Sequence, residues 1–147
     1  MNCNFSNPNA VAHIQGSKEF SNICGQIAFY QRQNYVLVEA TIKHLPAVET
    51  GFFGFHIHEG DSCTGNDFSY TGSHYNPTNT QHPTHAGDLP TLMLCNGGAY
   101  LVVSTDRFSV RDIIGRTVVI HQMPDDFKSQ PAGHAGTKIA CGKICRV

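Results

Sequence analysis

Short runs of strand-forming residues, separated by glycine-rich breaks, restrict the fold of this chain more than any other feature of its sequence. Eight runs have this character: Ala10 to Ile14, Gly25 to Tyr30, Tyr35 to Lys43, Phe52 to His58, Leu92 to Cys95, Ala99 to Ser104, Arg116 to His121 and Thr137 to Val147. No stretch keeps the apolar period of a helix, so the pattern predicts an all-β protein.

The third run indicates how the strands pack. Between residues 36 and 43, apolar side chains at the even positions alternate with mostly polar ones at the odd positions, as expected of a strand with one buried face. Asn96-Gly97-Gly98 predicts a hairpin turn between two runs, because these residues tolerate positive φ. We therefore expect an eight-stranded Greek-key β-sandwich or flattened barrel. A chain of 147 residues is expected to form one domain over residues 1–147.

Two long segments interrupt the regular strand spacing, from Glu59 to Pro90 and from Gln122 to Gly136. Loops beyond about 12 to 15 residues in a compact domain are usually functional or disordered. The first segment contains several histidines, and the second begins directly after His121. We therefore expect both segments to be functional loops.

Histidines cluster in and before the first loop, where five of the nine in the chain lie between residues 54 and 88. His56 and His58 occupy positions i and i+2 of a predicted strand, so both side chains point to the same side, roughly 6.6 Å apart at the backbone. Their imidazoles can converge on one metal ion. With His121 at the end of another predicted strand, they form a nitrogen set that copper or zinc prefers.

A second ligand pattern follows in the loop itself. His82-x-x-His85-x-x-Asp88 places two imidazoles and a carboxylate on a short segment. This set suits zinc but is one ligand short of a four-coordinate shell, and His74 is the candidate for the fourth position. Together the seven residues predict metal binding, at either one site or two.

The charge balance excludes several classes of partner. Charged residues make up only 14% of the chain, and 10 Lys+Arg nearly balance 11 Asp+Glu, so there is no basic field for nucleic acid or an anionic membrane. The start of the chain lacks a basic residue and an apolar run, which predicts a cytoplasmic protein; a periplasmic or extracellular one is the alternative if Met1 replaces a removed signal. The strand faces show no clear apolar patch, so the choice between a monomer and a homodimer stays open.

The six cysteines contain no C-x-x-C pair, which argues against a cysteine-based zinc site. Disulfides and buried thiols remain as alternatives, and six cysteines allow 15 complete pairings. In a cytosolic chain, buried unreactive thiols are the general expectation.

Five segments give the chain a resemblance to a known family. They are Gly54-Phe-His-Ile-His-Glu, Ser73-His-Tyr-Asn-Pro, His85-Ala-Gly-Asp-Leu, Gly115-Arg-Thr-Val-Val-Ile-His and Gly133-His-Ala-Gly-Thr-Lys-Ile-Ala-Cys-Gly. In these segments, and more weakly from Asn9 onward, the chain resembles the copper/zinc superoxide dismutases. That family is itself an established example of the β-sandwich architecture.

The resemblance implies two metal sites that share one ligand. Copper would be bound by His56, His58, His74 and His121, and zinc by His74, His82, His85 and Asp88. Asp125 matches the family's aspartate that links a copper histidine to a zinc histidine. Cys63 and Cys141 match the family disulfide. A second bridge among Cys3, Cys24, Cys95 and Cys145, for instance between the terminal strands, is left as an alternative.

The resemblance also implies an activity, the disproportionation of superoxide anion to dioxygen and hydrogen peroxide. His74 would deliver a proton to the nascent peroxide, and Lys138 would dock the anion. Lys138 stands where the family normally has arginine, and lysine lacks the planar fork of donors, so we expect weaker anion binding and a slower enzyme. A non-catalytic relative that binds or stores copper is the alternative function.

Overall fold

The structure, a computed structural model, describes residues 6–147. Its nine strands are β1 Ala10–Gly16, β2 Cys24–Gln31, β3 Val36–Lys43, β4 Phe52–Phe53, β5 Phe55–His58, β6 Leu92–Met93, β7 Ala99–Thr105, β8 Thr117–His121 and β9 Lys138–Arg146. A 3₁₀ segment, Asn66–Thr71, and a four-residue helix α1, Val110–Ile113, complete the regular structure of these residues. Each of the eight predicted runs contains a strand, so the all-β prediction is confirmed.

Seven strands form one curled antiparallel sheet in the order β5-β8-β9-β1-β2-β3-β7, while β4 and β6 pair separately. The core lies inside this curl. Alternate residues of β3, from Val36 to Ile42, are at most 2% exposed, as their sequence pattern predicts. Phe29, Phe53 and Phe55 are the largest fully buried side chains. Phe55 lies on β5, the strand that also carries His56 and His58.

The run from Phe52 to His58, predicted as one strand, is divided at Gly54 into β4 and β5. The Gly54 amide donates to the Met123 carbonyl at 2.8 Å, and its carbonyl accepts from the His121 amide at 2.8 Å. A β-carbon at position 54 would lie only 2.7 Å from the β-carbon of Ala135. Glycine is therefore needed at position 54, where the chain changes its pairing partner. Because this run forms two strands, the described residues contain nine strands, whereas eight were expected.

Both predicted long loops are present, between β5 and β6 and between β8 and β9. The first contains the 3₁₀ segment, which the sequence did not reveal because Asp67 and Phe68 adopt positive φ and interrupt its regularity. A Cys63–Cys141 disulfide ties this loop to β9, with 5.8 Å between the two α-carbons. This pairing confirms the one implied by the family resemblance.

The remaining described cysteines correct an expectation. Cys24, Cys95 and Cys145 are free and exposed, so the prediction of buried thiols is wrong for them, as is a second bridge among these three. Cys145, for example, alternates on β9 with the buried Ile144 and so faces outward. Cys3 lies outside the described residues, and a bridge that includes it stays a prediction.

The outer surface also differs from the expectation that the strand faces show no clear apolar patch. Phe52 and Met93 pair directly across β4 and β6 and are 40% and 62% exposed.

Across residues 6–147, the structure contains no helix of the length and apolar character required to cross a membrane.

Candidate metal centre

Four buried histidines form the first ligand group. His56 and His58 lie on β5, His121 ends β8, and His74 comes from the first long loop, where it bridges to His58. One ligand nitrogen from each lies within 4.8 Å of the others. His58 Nε2 and His121 Nε2 are 3.2 Å apart. The strand pairing of β5 with β8 thus brings together the histidines that the sequence pattern assigned to one nitrogen set.

Three histidines and a carboxylate form the second ligand group. His74 Nδ1 lies 2.7 Å from Asp88 Oδ1, and His82 Nδ1 lies 3.0 Å from Asp88 Oδ2. His85 Nδ1 is 3.4 Å from His74 Nδ1. The His85 amide donates to Asp88 Oδ2 at 3.0 Å, which orients the carboxylate toward the group.

His74 belongs to both groups, and its two ring nitrogens have different surroundings. Nδ1 faces Asp88 and His85, while Nε2 is buried and has no hydrogen-bond partner. On the side of the first group, the ring stacks against His56 with 4.0 Å between centroids. The imidazole therefore belongs to both ligand groups, with Nδ1 facing the second group and Nε2 without a partner.

Hydrogen bonds at the opposite ring nitrogens orient the other histidines. His58 Nδ1 donates to the Gly72 carbonyl at 2.9 Å, and His121 Nδ1 donates to the Gly136 carbonyl at 3.0 Å. Asp125 accepts from His56 Nε2 at 2.7 Å and from His82 Nε2 at 2.8 Å. Such partners fix the tautomer and the direction of a ligating imidazole. Asp125 thus joins a histidine of each group.

Two buried ring nitrogens, His56 Nδ1 and His74 Nε2, make no hydrogen bond, and His82 Nδ1 makes none although it lies 3.0 Å from Asp88 Oδ2. A buried polar group without a partner costs about 1–3 kcal/mol, so its presence calls for a ligand. All three belong to histidines of the two ligand groups. Four nitrogens suit copper or zinc, and three nitrogens with one carboxylate oxygen suit zinc. The residues therefore fit both metals.

Residues 23–144 match the family described as copper/zinc superoxide dismutase (SODC). The chain belongs to the copper/zinc superoxide dismutase family.

Three relatives illustrate the extent of the similarity. Copper-zinc superoxide dismutase 2 of Aquifex aeolicus (strain VF5) is 32% identical, over 90% of this chain and 85% of the relative. The extracellular copper-zinc superoxide dismutase of Caenorhabditis elegans is 35% identical, over 91% of this chain and 66% of the relative. The extracellular copper-zinc superoxide dismutase of Drosophila melanogaster is 33% identical, over 92% of this chain and 83% of the relative.

Burial determines the protonation of the ligands in this superoxide dismutase family member. It lowers the pKa of His56 to about 4 and of His121 to about 3, and it holds the pKa of His58 well below its ordinary value. These imidazoles are neutral at pH 7, which is the form that binds metal. Burial alone would raise the pKa of Asp125, but hydrogen bonds from His56 and His82 hold it far below its usual value.

These shifts predict that the metal-free protein loses stability on acidification. Below the ordinary histidine pKa of about 6.5, the unfolded chain binds protons that the folded protein excludes from His56, His58 and His121. The free energy of unfolding should therefore fall as the pH drops from 6.5 to about 4, by on the order of 1 kcal/mol per pH unit. Urea unfolding of the metal-free protein at pH 7 and pH 5 measures this slope. Equal stability at the two pH values would contradict the prediction.

Lys138, the first residue of β9, is tethered to the first loop. Its Nζ donates to Thr71 Oγ1 at 2.8 Å and to the Gly72 carbonyl at 3.2 Å, and the same carbonyl accepts from His58. Thr71 is fully buried and donates its own hydroxyl proton to the Phe68 carbonyl at 2.7 Å. The Gly72 carbonyl thus links the Lys138 ammonium to His58, a member of the first group. Sequence reasoning missed Thr71 because no motif includes it.

Proposed function

We propose that this protein is a superoxide dismutase that converts two superoxide anions and two protons to dioxygen and hydrogen peroxide. The observation that carries the proposal is that His74 belongs to both buried ligand groups, so that it could offer one ring nitrogen to each. A protein that only stores copper has no need for a second group. Family membership supports the same function.

The donor atoms support an assignment of one metal to each group. Copper would be held by the all-nitrogen set of His56, His58, His74 and His121. Zinc would be held by three imidazoles and the carboxylate of His74, His82, His85 and Asp88. When bound, copper supplies the one-electron exchange that oxidises one superoxide and reduces another.

His74 has the geometry of a proton carrier. Its Nδ1 is engaged with Asp88 and His85, so Nε2 is the ring atom left to take up a proton and give it to the developing peroxide. Asp125 holds the neighbouring rings of His56 and His82, which keeps the surroundings of His74 unchanged during that transfer. The chain thus provides a proton at a fixed position beside the first group.

Lys138 is the proposed docking residue for the anion. An ammonium has three N–H donors, and two of them bind Thr71 and Gly72. One donor remains for superoxide. Burial lowers the pKa of Lys138. Because the ordinary pKa of lysine lies far above 7, the side chain is still cationic at pH 7.

Lys138→Arg should raise kcat/KM at low ionic strength. A guanidinium has five donors, so it can keep both tethers and offer a paired contact to the anion. One additional hydrogen bond contributes about 1 kcal/mol, which corresponds to roughly fivefold. Pulse radiolysis at equal copper content measures the change. Lys143→Arg, at an exposed position of the same strand, is the matched control. An equal or lower rate for Lys138→Arg would refute the docking role.

The test of the proposed function is superoxide consumption by protein loaded with measured amounts of copper and zinc. We expect one of each metal per chain and a rate far above that of protein loaded with zinc alone. Tight copper binding without superoxide consumption would favour the alternative, a non-catalytic copper-binding relative. The presence of lysine at position 138 is the observation that favours this alternative.

A further inference from the structure

Gln130 of the second long loop binds the backbone of His82 in the first long loop. The His82 amide donates to Gln130 Oε1 at 2.9 Å, and Gln130 Nε2 donates to the His82 carbonyl at 2.7 Å. The two bonds reproduce the exchange that a hydrogen-bonded pair of residues makes between antiparallel strands. One side chain therefore fixes both polar groups of a single ligand residue.

The same loop also holds the His82 ring. Asp125 Oδ1 accepts from His82 Nε2 at 2.8 Å. The loop closes tightly around this contact at Gly133, where a β-carbon would lie 2.0 Å from Asp125 Oδ1 and 2.7 Å from His82 Nε2. Backbone and imidazole of His82 are thus held by two residues from one loop.

The segment that carries His82 forms a tight local turn, in which the Thr84 amide donates to the Gln81 carbonyl at 2.8 Å. Only Pro83 and Thr84 separate His82 from His85, and proline has no amide hydrogen to donate. On the far side, Arg107 Nη1 donates to the carbonyls of Pro83 and His85, at 2.9 and 3.2 Å. Beyond this local turn, the short segment is held from outside, by Gln130 at one end and Arg107 at the other.

We propose that Gln130 is a positioning residue for the His82 ligand and thereby determines the zinc affinity of the second group. The inference rests on the proposed zinc site. A metal-ligand group requires its atoms to be held within about 0.5 Å of the productive geometry. Release of the His82 backbone lets Nδ1 move away from Asp88. The first group does not contain His82, so copper binding should not change.

Gln130→Ala removes both hydrogen bonds and should weaken zinc binding by about tenfold, the lower end of the effect of losing a ligand-orienting partner. Gln130→Glu keeps the acceptor for the His82 amide but places a carboxylate oxygen against the His82 carbonyl, so it should weaken zinc binding at least as much. Because Gln130 is exposed, neither substitution should unfold the protein. Gln26→Ala, an exposed glutamine on β2, is the matched control.

Zinc dissociation into a chelator, copper affinity by competition and the Tm of the metal-free protein are measured for each variant. Faster zinc release, with copper affinity and Tm unchanged, supports the proposal. Zinc release equal to that of the wild type overturns it, and so does a parallel loss of copper affinity or Tm, which would indicate a general structural role. Failure of the wild type itself to bind zinc would overturn the proposed zinc site together with this inference, and the wild-type measurement alone identifies that case.

Discussion

His121→Ala is expected to lower superoxide consumption by more than about 100-fold, because loss of a partner that only orients a ligand already costs about 10- to 100-fold. The substitution removes one of four nitrogens in the first group and leaves His58 Nε2 without the neighbour that lies 3.2 Å away. Three nitrogens remain, so copper should bind more weakly and in a different geometry.

The comparison requires equal copper content, measured before each assay, and a chelator that removes free copper. His134→Ala is the matched control, since His134 is exposed, lies in the second loop and belongs to neither ligand group. We expect that control to consume superoxide at the wild-type rate. Equal rates for His121→Ala and the wild type would mean that the reaction does not depend on the first group, and the proposed function would then fail.

Removal of the disulfide by Cys63→Ser and Cys141→Ser together should lower the free energy of unfolding by up to about 4 to 5 kcal/mol. The bond links residues 78 positions apart, and closing so long a loop greatly reduces the entropy of the unfolded chain. Urea denaturation of the oxidised wild type and of the double variant measures the difference. Cys95→Ser, which replaces an exposed free thiol, should have little effect.

A loss below about 1 kcal/mol in the double variant would show that the loop-closure account does not apply to this protein.

The substitution should also affect the site. Cys63 and Thr71 lie in the same loop, and Cys141 and Lys138 lie on the same strand, so the disulfide and the Lys138 tether join the same two parts of the molecule. Without the disulfide, the hydrogen bonds of Lys138 to Thr71 and Gly72 remain between these two parts.

The fold was predictable where the pattern is local. Alternation along β3 depends only on the two faces of one strand, and the buried residues from Val36 to Ile42 agree with it. The break at Gly54 was not predictable, because it arises from the approach of Ala135 and Met123, which lie far away in sequence. The exposure of Cys24, Cys95 and Cys145 likewise depends on which strand face meets the core.

The ligand candidates were predictable because their spacing has a direct geometric meaning. His56 and His58 share a strand face, and His82, His85 and Asp88 lie within one short segment, so the sequence by itself determined which side chains are available to bind metal. Only the tertiary structure decided how they are held. Gln130 and Thr71 act through hydrogen bonds to residues at least 48 positions away, and no local period encodes such contacts. They form only when the two long loops pack against the curled sheet.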